Sequence, residues 1–332
     1  MELLRTTEED LARAARALRE GKLVAIPTET VYGLGADAFN ESAVARVFEV
    51  KARPTFDPLI VHIARISDLK KVAREIPVFA QKLAEKLWPG PLTMIVPKRP
   101  EVPDLVTAGL PTVAVRLPGN AIARRIIELA DTAVAAPSAN PFGYISPTTA
   151  RHVVSMLGDR VDMVVDGGPC DVGVESTVID LTGPVPVVMR PGGMAVETIE
   201  SVIGPVTISR KPAGPVVSPG QTLSHYAPRT PLYLFDADSL PRSAMARGIE
   251  RPSAALVFDL IRARELEAWH AFDEVIPLAP SGTLREAASR LFSILHELDA
   301  ATYAALYAER VPDEGLGRAI NDRLFRASKK EG

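Results

Sequence analysis

The sequence is short of cysteine, of aromatic residues, of net charge and of long apolar runs, and each shortage closes off a class of protein. A single cysteine, Cys170, among 332 residues excludes an intramolecular disulfide framework and any thiolate metal cluster, and fits a reducing compartment. Aromatic residues make up 5% of the chain, and nowhere do they interleave with basic residues as RNA-stacking surfaces require. Lys and Arg number 38 against 41 Asp and Glu, for a formal net charge of −3. That balance argues against broad electrostatic binding of nucleic acid or of an anionic membrane, and leaves room only for a local basic patch. No apolar stretch approaches the roughly 20 residues that span a bilayer, and the N-terminal residues lack the apolar core of a signal peptide. A soluble, cytoplasmic protein with no membrane partner is expected. A P-loop, an HExxH pair and any close His/Cys/Asp group of zinc type are also missing. His62, His152, His225, His270 and His296 are scattered, and no protein-held metal is expected.

What is present is a chain long enough for two domains, each able to bury its own core, with no internal repeat. Thr6-x-x-Glu9 reads as a capping box ahead of Leu11, Ala14, Ala15 and Leu18 at helical spacing, and Gly21 closes that helix. Leu23–Ile26 reads as the first strand, Val44, Val47 and Phe48 mark a second helix, and Leu59–Ile63 is a second buried strand. A helix over Val78–Leu87 stops at Trp88-Pro89-Gly90-Pro91. Strands are expected at Leu92–Val96, Val113–Leu117, Ala133–Ala136, Met163–Val165, Thr177–Leu181 and Val187–Met189, with helices at Ala121–Ala130 and Thr149–Leu157. Several neighbouring strands leave no room for a helix between them, so the expected fold is α/β with a twisted, mixed sheet. From about residue 204 to 231, Pro205, Pro212, Gly214, Pro215, Pro219, Gly220, Pro228 and Pro231 break every period. The expected division is a catalytic domain over 1–205, a Pro/Gly-rich linker over 206–230 and a smaller α/β domain over 231–332. In the last, strands are expected at Leu232–Phe235, Ala254–Phe258, Val275–Leu278 and Tyr303–Tyr307, and helices from Thr283 (a second capping box, with Glu286) to Leu298 and near Leu316–Leu324.

The chemistry-bearing residues cluster where strands end, which is where α/β proteins bind ligands. Pro27-Thr28-Glu29-Thr30-Val31-Tyr32-Gly33-Leu34-Gly35 follows the first strand. Its Gly-Leu-Gly lacks the third glycine of a dinucleotide loop, and Asp37 sits where the opening helix should pack. Lys51 and Arg53 flank one residue before Pro54, which places both at a helix exit. They read equally as a charge pair at a helix C-terminus or as an anion clamp, Lys as point charge and Arg as fork. Arg116, among Val113, Val115 and Leu117, needs a partner if buried. Small residues around Ser138 and Asn140 in Ala135–Pro141 let backbone approach a ligand, and Val174-Glu175-Ser176-Thr177 and Met189-Arg190-Pro191-Gly192-Gly193 add hydroxyls and another arginine at strand ends. Singly, each has an equally good structural reading. Together they describe a site for a small, polar, anionic ligand in a domain that is otherwise not basic.

These motifs, in this order, resemble the YrdC-type L-threonylcarbamoyladenylate synthases in their longer, two-domain form. The resemblance runs through PTETVYGLG, KxRP with PLIVHI, LWPGPLT, VAVRLP, APSAN, STVID and the RPGG turn, and covers most of residues 1–205. Ser218-Pro219-Gly220 through His225-Tyr226-Ala227-Pro228 resembles the joint ahead of the extra domain. The resemblance implies a YrdC-like domain with a ligand cavity and a Rossmann-like C-terminal domain. It implies a nucleotidyltransferase that condenses L-threonine, bicarbonate and ATP, with Mg2+, into threonylcarbamoyl-AMP and pyrophosphate. A downstream tRNA threonylcarbamoyl transferase would then modify an adenosine beside the anticodon. Carried over by position, threonine would meet Thr30, His62, Arg116, Ala136 and Ser176. ATP would meet Lys51, Arg53, Asp57, Thr112, Ser138, Asn140, Ser146, Arg190 and Tyr226, with Lys51 and Arg53 as the catalytic cations and Tyr226 as part of a lid. Two positions depart from the family: Asp57 stands where asparagine is usual, and Gln221-Thr222-Leu223-Ser224 where more basic residues are usual. A carboxylate at 57 repels phosphate unless it binds magnesium or turns away. Two other readings compete. An RNA-binding or ribosome-associated module of the same fold, with a weak RNA contact, is opposed by the acidic balance. A carbamoyl-transfer enzyme is opposed by the single cysteine, which cannot build the zinc fingers of that relative.

Overall fold

Short apolar runs, cut by proline, glycine or a capping side chain, become the strands and helices of two compact units. The computed structural model describes residues 1–209, 226–236 and 248–329. Residues 1–142, 146–171 and 175–209 form the first unit; 143–145, 172–174, 226–236 and 248–329 belong to the second. The expected linker lies for most of its length, 210–225 with Ser218-Pro219-Gly220 and His225, outside the described residues. No helix among the described residues is long and apolar enough to cross a membrane.

The first unit is built on one mixed sheet. Its strands are β1 (Glu2–Leu4), β2 (Val24–Ile26), β3 (Gly33–Asp37), β4 (Ile60–His62), β5 (Leu92–Pro97), β6 (Thr112–Arg116), β7 (Val134–Ala135), β8 (Met163–Val165), β9 (Thr177–Asp180), β10 (Val187–Arg190) and β11 (Thr207–Ile208), in the order β1-β8-β2-β3-β7-β4-β6-β5-β9-β10-β11. The expected mixture of directions is present: β4 and β6 run parallel, β5 and β6 antiparallel, β5 and β9 parallel. Gly33-Leu34-Gly35 is no ligand loop but strand, paired antiparallel with β2 as Ile26↔Gly33. Gly35 is needed there because a Cβ would stand 3.0 Å from both Val134 Cγ1 and the Val24 carbonyl. β11 takes Thr207 and Ile208 out of the expected linker, since Val206 and Ile208 pack on the core while the strand pairs with Val187 and Val188.

Side chains alternate across a sheet, and here the two faces differ in kind. Val61, Met94, Val113, Val115 and Ile179 enter the main core under the helices Glu41–Lys51, Val78–Leu87, Ala150–Leu157 and Val196–Ile203. On the opposite face Ile60, Ile95, Ala114 and Val178 form a small separate cluster with Met189. His62, Thr93, Thr112 and Arg116 share that second face by the same alternation. This face carries the polar groups.

One expected cap is corrected. Helix Glu8–Arg19 is capped by Thr7, not Thr6: Thr7 Oγ1 accepts from the Asp10 N–H at 3.2 Å. The tandem threonines offer two registers, and in this one Asp10 reaches back to the Arg5 N–H while Leu11 still opens the buried stripe. The second unit is a parallel sheet of β12 (Leu232–Phe235), β13 (Ser253–Val257), β14 (Glu274–Pro277) and β15 (Ala305–Glu309), ordered β12-β15-β13-β14, with helices Leu260–Ala268, Leu284–Ala300 and Gly317–Ala327. Thr283 caps its helix as expected, but Glu286 closes on Ser281 instead of completing the box. The strand expected at Tyr303–Tyr307 begins at Ala305, because pairing with Leu232 and Ser253 on its two sides sets its register.

Candidate active site

One polar cluster lies on the second face of the first unit, and another at the end of helix Glu41–Lys51. The first gathers at the end of β6 around Arg116, whose side chain is 4% exposed. Register places His62 of β4 and Thr93 of β5 on either side of it. Arg116 Nη1 donates to Thr30 Oγ1 at 2.9 Å, and Thr30 shares a 2.9 Å hydrogen bond with Thr28. Arg116 Nε lies 3.4 Å from the Gly90 carbonyl, and Nη2 lies 2.6 Å from Glu29 Oε1. Thr93 Oγ1 and Ser176 Oγ are 2.8 Å apart, and Arg190 Nη2 donates to the Ser176 carbonyl at 2.8 Å. Ala136 lies buried beside this group, its N–H donating to the Ile60 carbonyl at 2.9 Å. All five residues expected around an amino acid are thus in the first unit, and His62, Arg116, Thr30 and Ser176 are linked directly or through Thr93.

The electrostatics of this cluster are strongly biased. Burial, reinforced by the neighbouring Arg116, pushes the His62 imidazole down to about 3, so the ring is neutral at working pH. A histidine held neutral in the fold but free to protonate when unfolded costs stability as pH falls below its ordinary value, and stability returns as pH rises through that window. The wild-type chain is therefore expected to lose several kcal/mol between about pH 6.5 and pH 3 on this account. His62→Gln should flatten that acid limb, as thermal melting from pH 7 to pH 4 would show. Glu29 feels burial pushing its carboxyl up, but Arg116 and the backbone N–H of Gly119 outweigh it and hold the group below its ordinary value.

The second cluster lies where helix Glu41–Lys51 ends. Ala52 takes a left-handed conformation as the cap, φ 51°, so that Lys51 and Arg53 turn in together. The Lys51 ammonium is buried and donates to the Ser138 carbonyl at 2.6 Å and the Asn140 carbonyl at 2.5 Å. Burial, with Arg53 adding repulsion, holds the Lys51 pKa well below its ordinary value. Arg53 Nε donates to the Asp57 carbonyl at 3.0 Å, and Nη2 donates to the Pro58 carbonyl at 2.9 Å and lies 3.0 Å from Asp57 Oδ2. Asp57 is wholly buried, and burial pushes its carboxyl up against the pull of Arg53, Lys51 and Arg190. Three basic side chains, Arg53, Lys51 and Arg190, act on the Asp57 carboxylate, and a group of basic side chains suits an anion. Asn140 is buried and Ser138 half-buried, and Ser146 Oγ donates to Glu175 Oε1 at 2.5 Å.

Arg190 links the clusters, donating to the Ser176 carbonyl in one and pulling on the Asp57 carboxyl in the other. Thr112 opens β6 and Arg116 closes it, about 13 Å away at the usual rise per residue. Between them lies the apolar floor of Ile60, Ala114 and Ile95. Tyr226 belongs to the second unit, where its ring packs tilted against Phe292, centroids 5.6 Å apart, with Arg323 5.1 Å above it. Glu29, Thr93 and Glu175 were not among the expected site residues. Glu29 had a signal in the sequence: a buried Arg116 required a partner, and an acid stood next to Thr30. Gly192 fixes the turn after β10, because a Cβ there would meet Ser176 and Glu175 backbone atoms at 2.3–2.4 Å. Gly192→Ala should cost about 2–4 kcal/mol and lower the melting temperature, since backbone rather than a flexible side chain must give way. Among the described residues no three His, Cys, Asp or Glu side chains gather as a metal site.

Two sequence models of protein families match the chain. One, the Sua5/YciO/YrdC model described as telomere recombination, covers residues 16–192; the other, the threonylcarbamoyl-AMP synthase C-terminal domain, covers 194–329. The threonylcarbamoyl-AMP synthase of Pyrococcus abyssi is 44% identical over 98% of this chain and 95% of its own length. The enzyme of the same name from Bacillus subtilis is 40% identical over 98% of this chain and 94% of its own. The crystal structure of P. abyssi Sua5 complexed with L-threonine superposes with a TM-score of 0.88 at 41% identity, covering 98% of this chain and 97% of that one. E. coli YciO, 23% identical with a TM-score of 0.51 over 57% of this chain and 94% of its own, shares the fold of the first unit.

Proposed function

The chain belongs to the threonylcarbamoyl-AMP synthase family, enzymes of nucleotidyltransferase type, and on that premise we propose that it condenses L-threonine, bicarbonate and ATP into threonylcarbamoyl-AMP and pyrophosphate. The observation that carries the reading is a buried guanidinium with hydroxyl neighbours on one sheet face, linked through Arg190 to a cation-rich cluster at the end of helix Glu41–Lys51. In the proposed reaction the threonine amine and bicarbonate form a carbamate and water. A carbamate oxygen then bonds to the α-phosphorus as the bond to the β-phosphate oxygen breaks, and pyrophosphate leaves. Such a displacement asks the protein for position and for neutralisation of oxygen charge, not for a nucleophile.

Arg116 takes the amino-acid carboxylate, with Thr30, Ser176 and the neutral His62 around the rest of the threonine. Lys51, Arg53 and Arg190 face the phosphates, and Thr112, Ser138, Asn140 and Ser146 the remainder of the nucleotide. Asp57 holds Arg53 by its ion pair and so orients the fork rather than touching phosphate itself. Magnesium would enter on the triphosphate, a role that needs no protein cage. When bound it neutralises phosphate oxygens. The product serves a transferase that modifies tRNA beside the anticodon, in the reading that best explains the family name.

Pyrophosphate release from ATP and magnesium, with threonine and bicarbonate omitted in turn, tests the proposal. Release is expected only when both are present. Release without threonine, or with carbamoyl phosphate in place of both, would overturn it.

A further inference from the structure

The Glu29–Arg116 pair is closer than an ordinary ion pair and yet incomplete. Glu29 Oε1 and Arg116 Nη2 approach to 2.6 Å, but neither atom has an aligned hydrogen bond. The rest of each side chain is satisfied and fixed. Glu29 Oε2 accepts from the Asn120 N–H at 3.2 Å, and Gly119 leaves room for the carboxyl group, which a Cβ there would meet at 3.2–3.3 Å. Arg116 is tied by Nη1 to Thr30 and by Nε to Gly90. A counter-ion serving only to neutralise Arg116 would be expected to meet it in the aligned, two-pronged geometry that makes such pairs strong. Instead Gly119 and Asn120 hold the carboxylate against the guanidinium off the N–H axis, so the contact uses neither atom's full hydrogen-bonding capacity. Buried groups left short in this way are costly unless something completes them.

We propose that Glu29 is a substrate-binding residue whose Oε1 takes the α-ammonium of an amino acid while Arg116 Nη2 takes its carboxylate, so that the pair reads the zwitterion. The inference rests on the threonine reading of the first cluster. An α-amino acid carries its two charges one carbon apart, and it is neutral overall. It can therefore enter a neutral buried pair and complete both groups without leaving net charge in the site, whereas an anion lacking the ammonium would leave the site with a surplus negative charge. His62, neutral in this site, does not supply a second cation to offset it.

The test is calorimetric titration of the full chain, without ATP or bicarbonate, with L-threonine and with the 3-hydroxybutyrate of matching configuration, which lacks only the amine. The wild-type protein is expected to prefer threonine by about tenfold or more. Glu29→Gln should lose about 10- to 100-fold for threonine and, with the surplus negative charge gone, bind 3-hydroxybutyrate at least as tightly as the wild type does. Glu29→Asp, which keeps the charge and draws it back, should lie between for threonine. Equal weakening of both ligands by Glu29→Gln would assign Glu29 to the support of Arg116 alone and overturn the inference. So would a wild-type protein that binds the two ligands equally, a result that needs no variant to fold. A folded wild-type chain that binds ATP but neither ligand would instead overturn the threonine reading on which the inference stands.

Discussion

Arg116→Ala is expected to lower kcat/KM for threonine by about 10²- to 10³-fold while ATP affinity stays near that of the wild type. The guanidinium is nearly wholly buried, donates to Thr30 and Gly90, and stands against Glu29. Truncation removes the cation at the end of β6, and with it the partner for the amino acid's carboxylate. It also strands Glu29, so the variant should be about 3–5 kcal/mol less stable near neutral pH. The sign with pH follows. Arg116 holds Glu29 below its ordinary pKa, which stabilises the fold above that ordinary value and is lost as pH falls through the lowered one. The deficit of the variant should therefore shrink in acid, where the stranded carboxyl can take a proton. Arg116→Lys, which keeps the charge but loses the fork, separates the two effects: it should recover most of the stability and little of the threonine kcat/KM. Steady-state kinetics in each substrate, with melting curves at two pH values, read all of this.

Lys51→Met should cut kcat for pyrophosphate release by about 10²- to 10³-fold and leave the KM for threonine nearly unchanged. The ammonium is held between two backbone carbonyls at the end of its helix, in a place where burial and Arg53 already penalise its charge. A fold that keeps a lysine under that penalty gains from it when negative charge arrives, and an attacked α-phosphate supplies such charge. Methionine preserves the buried stem and removes the charge. A variant with wild-type kcat would reduce Lys51 to a helix-end contact, the plainer of its two sequence readings.

The elements legible in the sequence are those whose ends are marked locally. Helix Val78–Leu87 is legible because Pro77 and the Trp88-Pro89 turn bound it, and helix Ala121–Ala130 because Asn120 caps it and Asp131 takes the left-handed stop. β1 was not anticipated, since three residues become a strand only by pairing with β8. β3 hid behind its glycines, which read as a loop until β2 and β7 pin them. Helix Leu260–Ala268 hid because its charged residues and exposed Ile261 give it almost no apolar face. In the site, residue types at strand ends gave away the cations, and the position of Pro54 placed Lys51 and Arg53 correctly at a helix exit. Which groups meet was not legible. That Arg116 meets Glu29, that Arg53 meets Asp57 and that Thr93 faces Ser176 depend on strand register and on a loop closing over long sequence distances. Local pattern carries no record of either.

The central claim is that the first unit joins an amino acid, through bicarbonate, to the α-phosphate of ATP. Mass spectrometry of the product formed from L-threonine, ATP, magnesium and 13C-bicarbonate tests it most directly. The account predicts threonylcarbamoyl-AMP bearing one heavy carbon, in the carbamoyl group. Threonyl-AMP without that carbon, or AMP with unmodified threonine and no adduct after rapid quenching, would contradict it.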